Sequence, residues 1–192
     1  MPSTRTPRRL ALIGLAGHGK NSVGDILETN HGFRQSALAD PIKEMLAVGL
    51  GIDRSCLYGN DAAKSQVIPH LGKSPRELLL SLGTEWGREQ VEPDVWTKIL
   101  LSRLPSRASV VVTDVRFPSE VNHLREAGFI IARVVRPSYK AKADRASTGH
   151  ISEAGQADIL CDLTIFNSGT LENLEALVLT LIKSAFPSQD SQ

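Results

Sequence analysis

The residues best suited to chemistry are Gly14-Leu15-Ala16-Gly17-His18-Gly19-Lys20-Asn21-Ser22, which follow the apolar run Leu10-Ala11-Leu12-Ile13. The spacing fits G-x-x-x-x-G-K. In such a loop glycines let successive backbone N–H groups close around a di- or triphosphate while a lysine reaches the β- and γ-phosphates. The amphipathic stretch after it carries Val23, Ile26 and Leu27 on one side, so a strand–loop–helix unit sets a helix N-terminus under the phosphates. A Gly-rich turn that merely opens a helix is the plainer reading, and the glycine spacing, lysine and strand together argue against it. Where the motif carries Ser or Thr for Mg²⁺ directly after the lysine, this chain has Asn21, and the hydroxyl follows as Ser22.

A second set begins at Asp114, at the end of the apolar run Ser109-Val110-Val111-Val112-Thr113. An aspartate at the tip of a buried strand beside a phosphate loop can hold Mg²⁺ or its water shell. The competing role is a cap for a helix over Phe117 to Ala127. Arg116 can match phosphate oxygens bidentately. Further on, Arg136 to Arg145 is polar and basic, with Lys140 and Lys142, and leads to Gly149-His150-Ile151-Ser152-Glu153. A flap closing over phosphates needs that composition; an inert exposed loop is the alternative. Asp40 and Lys43 fall after the second strand, where an acceptor would lie in such a sheet, though a helix cap and a solvated lysine explain them as well.

These residues need a scaffold. At 192 residues the chain suits one domain, residues 1–192, with a basic tail over 1–8, a lid segment at about 137–150 and a tail over 187–192. Hydrophobic residues at 41% and charged residues at 22% are ordinary for a globular protein. A formal charge of +1 argues against a surface that wraps a polyanion, so nucleic acid is not an expected partner. Cys56 and Cys161 lie far apart with no metal-ligand spacing and read as reduced thiols of a cytoplasmic protein. No apolar run approaches a membrane span.

In chain order, a helix should follow the loop to about Asn30 and close at His31-Gly32, with a strand over Phe33 to Leu38. Asp40-Pro41 reads as N-cap and first residue of a helix over Ile42 to Leu50 that buries Ile42, Met45, Leu46 and Leu50. Residues 51–71 read as loop with a short helix around Ala62 to Val67. Ser74-Pro75-Arg76-Glu77 is a capping box opening a helix towards Arg88, with Leu78, Leu79 and Leu82 inward. Its polar face offers Arg76, Glu85 and Arg88, with Trp86 nearby. A helix over Asp94 to about Leu104 carries Trp96, and for both tryptophans a packed core role competes with a base platform. Strands over Ser109 to Asp114, Ile130 to Val135 and Asp162 to Phe166, and a helix over Leu171 to Phe186, complete the pattern. Five strands separated by helices predict a three-layer α/β sandwich with a five-stranded parallel sheet.

Several segments together resemble the bacteriophage deoxynucleoside monophosphate kinases: Gly14 to Ser22, Ala39 to Lys43, Leu71 to Leu79, Leu82 to Arg88, Val112 to Pro118 and Gly149 to Glu153. Their order and spacing carry the resemblance, which spans nearly the whole chain after the basic tail. Animal phosphomevalonate kinases look like more distant relatives. The resemblance implies a P-loop nucleotide kinase fold with a mobile lid and transfer of the γ-phosphoryl group of ATP, with Mg²⁺, to the 5′-phosphate of a deoxynucleotide. The Lys-x-Ser spacing is a variant seen in small nucleotide kinases that keep Mg²⁺ mainly through phosphates and water. By resemblance, Gly17, His18, Gly19, Lys20, Asn21, Ser22 and Arg136 serve ATP, Asp114 and Ser22 serve Mg²⁺, and Lys20, Asp114 and Arg116 are catalytic. Asp40, Lys43, Arg76, Glu85, Trp86, Arg88, Arg116, His150, Ser152 and Glu153 would form the acceptor pocket, and Lys140, Lys142 and Arg145 the lid. A kinase of another phosphorylated metabolite, or an ATPase or switch module, are the alternatives; against the last, there is no N-K-x-D motif and Val115 follows Asp114. Monomer and homodimer are both compatible with the sequence.

Overall fold

The computed structural model describes residues 6–137, 156 and 158–187. They fall into two compact units, one formed by the chain up to Ala37 and from Leu104 onward, the other by Leu38–Arg103.

The first unit is built on five parallel strands, β1 (Arg9–Ile13), β2 (Phe33–Ser36), β3 (Ser109–Val112), β4 (Ile130–Val135) and β5 (Leu163–Phe166). Their order is β2-β3-β1-β4-β5, with Leu10 level with Val111 on one side and Ile130 on the other. The central strands read as unbroken apolar runs because both faces are covered. Leu10, Leu12, Val111 and Val134 join one cluster with Val23 and Leu27 of α1 (Lys20–His31) and with the last helix, Leu171–Ala185. The alternate residues Ala11, Ile13, Val110, Val112 and Ile131 are also buried. The last helix buries Leu174, Val178, Leu181 and Ile182, a spacing that keeps one stripe inward, at about 1.5–3 kcal/mol per side chain removed from water.

The predicted five-stranded parallel sheet is therefore present, with shifted ends. β2 stops at Ser36 rather than Leu38, β3 at Val112 rather than Asp114, and β5 starts at Leu163. α1 ends where Gly32 turns left-handed, at φ 68°, and donates its N–H to the Leu27 carbonyl.

The second unit holds α2 (Asp40–Gly49), α3 (Arg54–Tyr58), α4 (Asp61–Ser65), α5 (Pro75–Leu80), a π-helical continuation over Ser81–Val91, and α6 (Val95–Ser102). Asp40 is not the cap of α2. Ala39 occupies that position with helical angles and makes no side-chain cap bond; Asp40 pairs with Lys43 at 3.2 Å. Ile42 and Leu46 are buried, but Met45 and Leu50 remain 42% and 43% exposed. Leu50 lies past the helix end, and Met45 lines a shallow surface groove with Pro41, Val48 and Ile99.

Residues 51–71 contain two short helices where one was predicted. Asp53 accepts from the Ser55 N–H at 2.7 Å, and Asn60 from the Ala63 N–H at 3.0 Å. The capping box at Ser74 is present: the Ser74 N–H donates to Glu77 at 2.8 Å and the Glu77 N–H to the Ser74 hydroxyl at 3.3 Å. Leu78, Leu79 and Leu82 are only half-buried, because Trp96, Leu57, Ile42 and Leu46 fill this unit's interior.

Trp96 explains the wide helical turn beside it. The Glu92 N–H reaches back five residues to the Gly87 carbonyl at 2.9 Å, and the Trp96 indole N–H donates to the Gly83 carbonyl at 2.7 Å. A Cβ on Gly87 would lie 2.3 Å from the indole ring, so widening and glycine together admit the tryptophan. Among the described residues no helix is long and apolar enough to cross a membrane.

Trp96→Phe should lower the free energy of unfolding by about 1–3 kcal/mol in a urea titration, since it leaves a buried carbonyl without its donor. Unchanged stability would mean that this bond contributes nothing.

Candidate functional site

The phosphate loop leaves the C-terminal end of β1 and enters α1 through Gly19, which is left-handed at φ 98°. The N-cap residue Gly19 has no side chain with which to cap α1, so the first-turn amides are presented as an anion site would present them. The Lys20 ammonium folds back onto the loop, donating to the carbonyls of Gly14 and Leu15, the latter at 3.0 Å. Asn21 is exposed and Ser22 half-buried on the first turn.

Two residues that the motif does not signal brace this loop. Asn167, just beyond β5 and 8% exposed, donates its side-chain amide to the His18 carbonyl at 3.0 Å and its backbone N–H to the Val135 carbonyl at 2.7 Å. Its amide lies where a Cβ on Gly19 would fall, 2.4 Å away. Gln156, 3% exposed, accepts from the Gly14 N–H at 3.1 Å. The Arg133 guanidinium in turn holds the Gln156 and Ile159 carbonyls at 2.9 and 2.5 Å. His18 Nδ1 lies 3.3 Å from the Val134 carbonyl. Asn167 reads as a turn residue in the sequence, and Gln156 follows a polar stretch; parallel pairing of β4 with β5 gives them their role.

Asp114 lies two residues past β3, half-buried, after Thr113 donates its N–H to the Ser36 carbonyl at 3.2 Å. Helix α7 (Pro118–Glu126) is capped by Glu120, 2% exposed, which accepts from the N–H groups of Arg116 at 2.7 Å and Phe117 at 3.0 Å. Those two bonds cap α7 from inside the helix. The side chains of Arg116 and Arg136 are exposed. Lys140, Lys142, Arg145, His150, Ser152 and Glu153 lie outside the described residues.

The remaining predicted acceptor residues belong to the second unit. Lys43 pairs with Asp40 and sits 4.3 Å over the Tyr58 ring. Arg76 pairs with Asp61 at 2.8 Å. Glu85 accepts from the Ser81 hydroxyl at 2.7 Å. Trp86 is 40% exposed, its ring tilted 45° and 6.3 Å from that of Trp96, so of the two only Trp86 presents a face to solvent. Arg88 is half-buried. Lys64, in the 51–71 segment, joins this group. Burial, then the charges of Lys43 and Arg76, hold its amine below the ordinary lysine range. Three cations therefore gather in one unit; the pattern of residues 51–71 could not show it, because α4 meets α5 only in the fold.

Comparison with known proteins bears on both halves of the set. The sequence model described as deoxynucleotide monophosphate kinase matches residues 70–178. The chain belongs to that family. The matched span excludes the phosphate loop, so loop and family match are separate observations. Across nearly full length, the chain is 23% identical over 191 residues to a protein of Acanthamoeba polyphaga mimivirus named "Putative deoxynucleotide monophosphate kinase", covering 92% of this chain and 96% of that one. It is 41% identical over 59 residues, 30% of this chain and 24% of the other, to the deoxynucleoside-5′-monophosphate kinase of Escherichia phage T5. In fold it is similar to dephospho-CoA kinase from Campylobacter jejuni, with a TM-score of 0.51 at 15% identity, covering 92% and 96% of the two chains. A gluconokinase from Sinorhizobium meliloti 1021 gives 0.50 at 18%, covering 94% and 95%. The deoxynucleotide monophosphate kinase activity of this chain rests on the family membership, and its P-loop kinase fold on the sheet and these likenesses.

Asn167→Ala should weaken ADP binding about fivefold by calorimetry, roughly the worth of one hydrogen bond to the loop. Unchanged affinity would separate Asn167 from the loop's geometry.

Proposed function

We propose that this chain transfers the γ-phosphoryl group of ATP to the 5′-phosphate of a deoxynucleoside monophosphate, giving the diphosphate and ADP. The observation that carries this reading is the coexistence of the family match over residues 70–178 with a phosphate loop outside it. The acceptor is a phosphate with a second pKa of about 6, largely ionised near neutrality, so no general base is required. Catalysis then consists of aligning two anions and neutralising their repulsion.

The chain's own residues divide that work. Backbone N–H groups over Gly17 to Ser22 bind the donor phosphates, and the Lys20 ammonium leaves the Gly14 and Leu15 carbonyls to pair with phosphate oxygens. Arg116 holds the acceptor or transferring phosphate, with Arg136 and the basic Lys140, Lys142 and Arg145 adding positive charge. Asp114 and Ser22 offer a carboxylate and a hydroxyl, the hard oxygen donors that suit Mg²⁺. Both residues follow neighbouring parallel strands and leave the same edge of the sheet. Bound Mg²⁺ supplies positive charge to the phosphates. Lys43, Lys64 and Arg76 bind the acceptor's phosphate, and the exposed Trp86 face stacks on its base.

ADP formation from ATP and Mg²⁺ should appear with one or more deoxynucleoside monophosphates and not with phosphomevalonate or water alone. Turnover only with the latter two would refute the acceptor assignment. Lys20→Ala should cut that turnover by about 10²–10³-fold, as removal of a donor to developing charge does elsewhere, while leaving circular dichroism unchanged. Lys64→Met should raise KM for the acceptor about tenfold, the worth of one charge-assisted hydrogen bond, with KM for ATP unaltered. An unaltered acceptor KM would remove Lys64 from the site.

A further inference from the structure

The seat of α1 on the sheet has no counterpart in the phosphate motif. Gly24 stands on the second turn of α1, two residues after Ser22, and is buried. A Cβ there would lie 2.0 Å from Gln35 Oε1, 2.8 Å from Gln35 Cδ and 2.8 Å from Thr113 Cγ2, all inside the 3.0 Å that real Cβ atoms essentially never breach. Gly24 is otherwise in ordinary right-handed helix. Its need for glycine comes from the neighbours rather than from its backbone angles.

Those neighbours tie the helix to the strand that leads to Asp114. Gln35 stands on β2, level with Val111 of β3, and Ser36 of β2 takes the Thr113 N–H at 3.2 Å. Thr113, 5% exposed, immediately precedes Asp114. Among the described residues Gln35 Oε1 is buried with no hydrogen-bond partner, and it fills the space that a Gly24 Cβ would take. An amide could swing away from an added methyl group. The β-branched Thr113 is stiff about χ1 and held in the sheet by its backbone bond, so it cannot follow.

We propose that the Gly24–Gln35–Thr113 contact is a spacer that sets how far the Ser22 hydroxyl stands from the Asp114 carboxylate. It rests on the reading of Ser22 and Asp114 as the Mg²⁺–phosphate side of the site. Gly24 touches no substrate and is a positioning residue. Any side chain there lifts the first turns of α1 as one body, carrying the phosphate-binding amides and Ser22 together so that a bound phosphate can follow them, while Asp114 stays with the end of β3. The consequence is selective: metal-assisted nucleotide binding suffers before metal-free binding does.

The test is Gly24→Ala, read by calorimetric titration with ADP in the presence of excess Mg²⁺ and, separately, of EDTA, with the melting temperature alongside. Helix propensity alone favours alanine at an interior helical position, so a merely structural view expects unchanged binding and an equal or higher melting temperature. The spacer expects Mg²⁺–ADP affinity to fall about tenfold and the metal-free affinity by less than about twofold, in keeping with the steep cost of displacements near 1 Å in such sites. Adding Gln35→Ala and Thr113→Ser to the variant removes both obstructing groups and should return Mg²⁺–ADP affinity to within about twofold of its starting value. Should Gly24→Ala fold poorly, recovery of melting temperature and Mg²⁺–ADP binding in the triple variant supports the spacer equally. Equal losses with and without metal, or no recovery in the triple variant, overturn the spacer. A wild-type protein whose ADP binding ignores Mg²⁺ overturns the metal reading on which it rests, and that control is read before any variant.

Discussion

β1 is paired with a parallel strand on each edge and buried on both faces, and the groups that can hold a nucleotide's phosphates leave from its C-terminal end. A strand confined in this way cannot slide by one residue, because the slip would exchange Leu10 and Leu12 for Ala11 and Ile13 on every contact they make. Its end is a fixed point. From it the loop turns through Gly19 into α1, and from the neighbouring strand Asp114 emerges beside it. Both positions inherit the rigidity of a sheet whose central residues are inaccessible to water.

The loop itself gains its shape from outside its own sequence. Gln156 holds the Gly14 amide and Asn167 the His18 carbonyl, so both limbs of the turn are tied to the neighbouring β4–β5 side of the sheet. Neither bond uses the amides of the first turn of α1. Those groups follow a glycine N-cap and are the part of the loop suited to anionic oxygens. The Lys20 ammonium rests on loop carbonyls, which keeps a cation at hand where phosphate would replace those partners.

The second unit brings together charged side chains rather than backbone amides. Lys43 and Arg76 each have an acidic partner, while Lys64 is crowded by both cations and by burial. Such a group raises the local affinity for an anion and lowers the cost of discharging the lysine. The tryptophan pair divides similarly: Trp96, bonded to the Gly83 carbonyl, builds the unit, and Trp86, resting on it, keeps an exposed face. The π-helical stretch between α5 and α6 is what allows a single glycine-spaced helix to do both.

The sequence by itself determined the local features. Gly14 to Lys20, the unbroken apolar runs of β1, β3 and β4, the capping box at Ser74 and the glycine stop at Gly32 each follow from chemistry within a few residues, and the five-stranded parallel sheet follows from their alternation with helices. Family resemblance, carried by segments from Gly14 to Glu153, was legible for the same reason. Only the tertiary structure decided that Glu120 caps α7 from inside the helix, that Asp40 pairs with Lys43 instead of capping α2, that Trp96 is core and Trp86 is not, and where Asn167, Gln156, Lys64 and Gly24 stand. Each of these depends on which residues from distant parts of the chain are brought together, and the spacing of residues along the chain carries no record of such meetings.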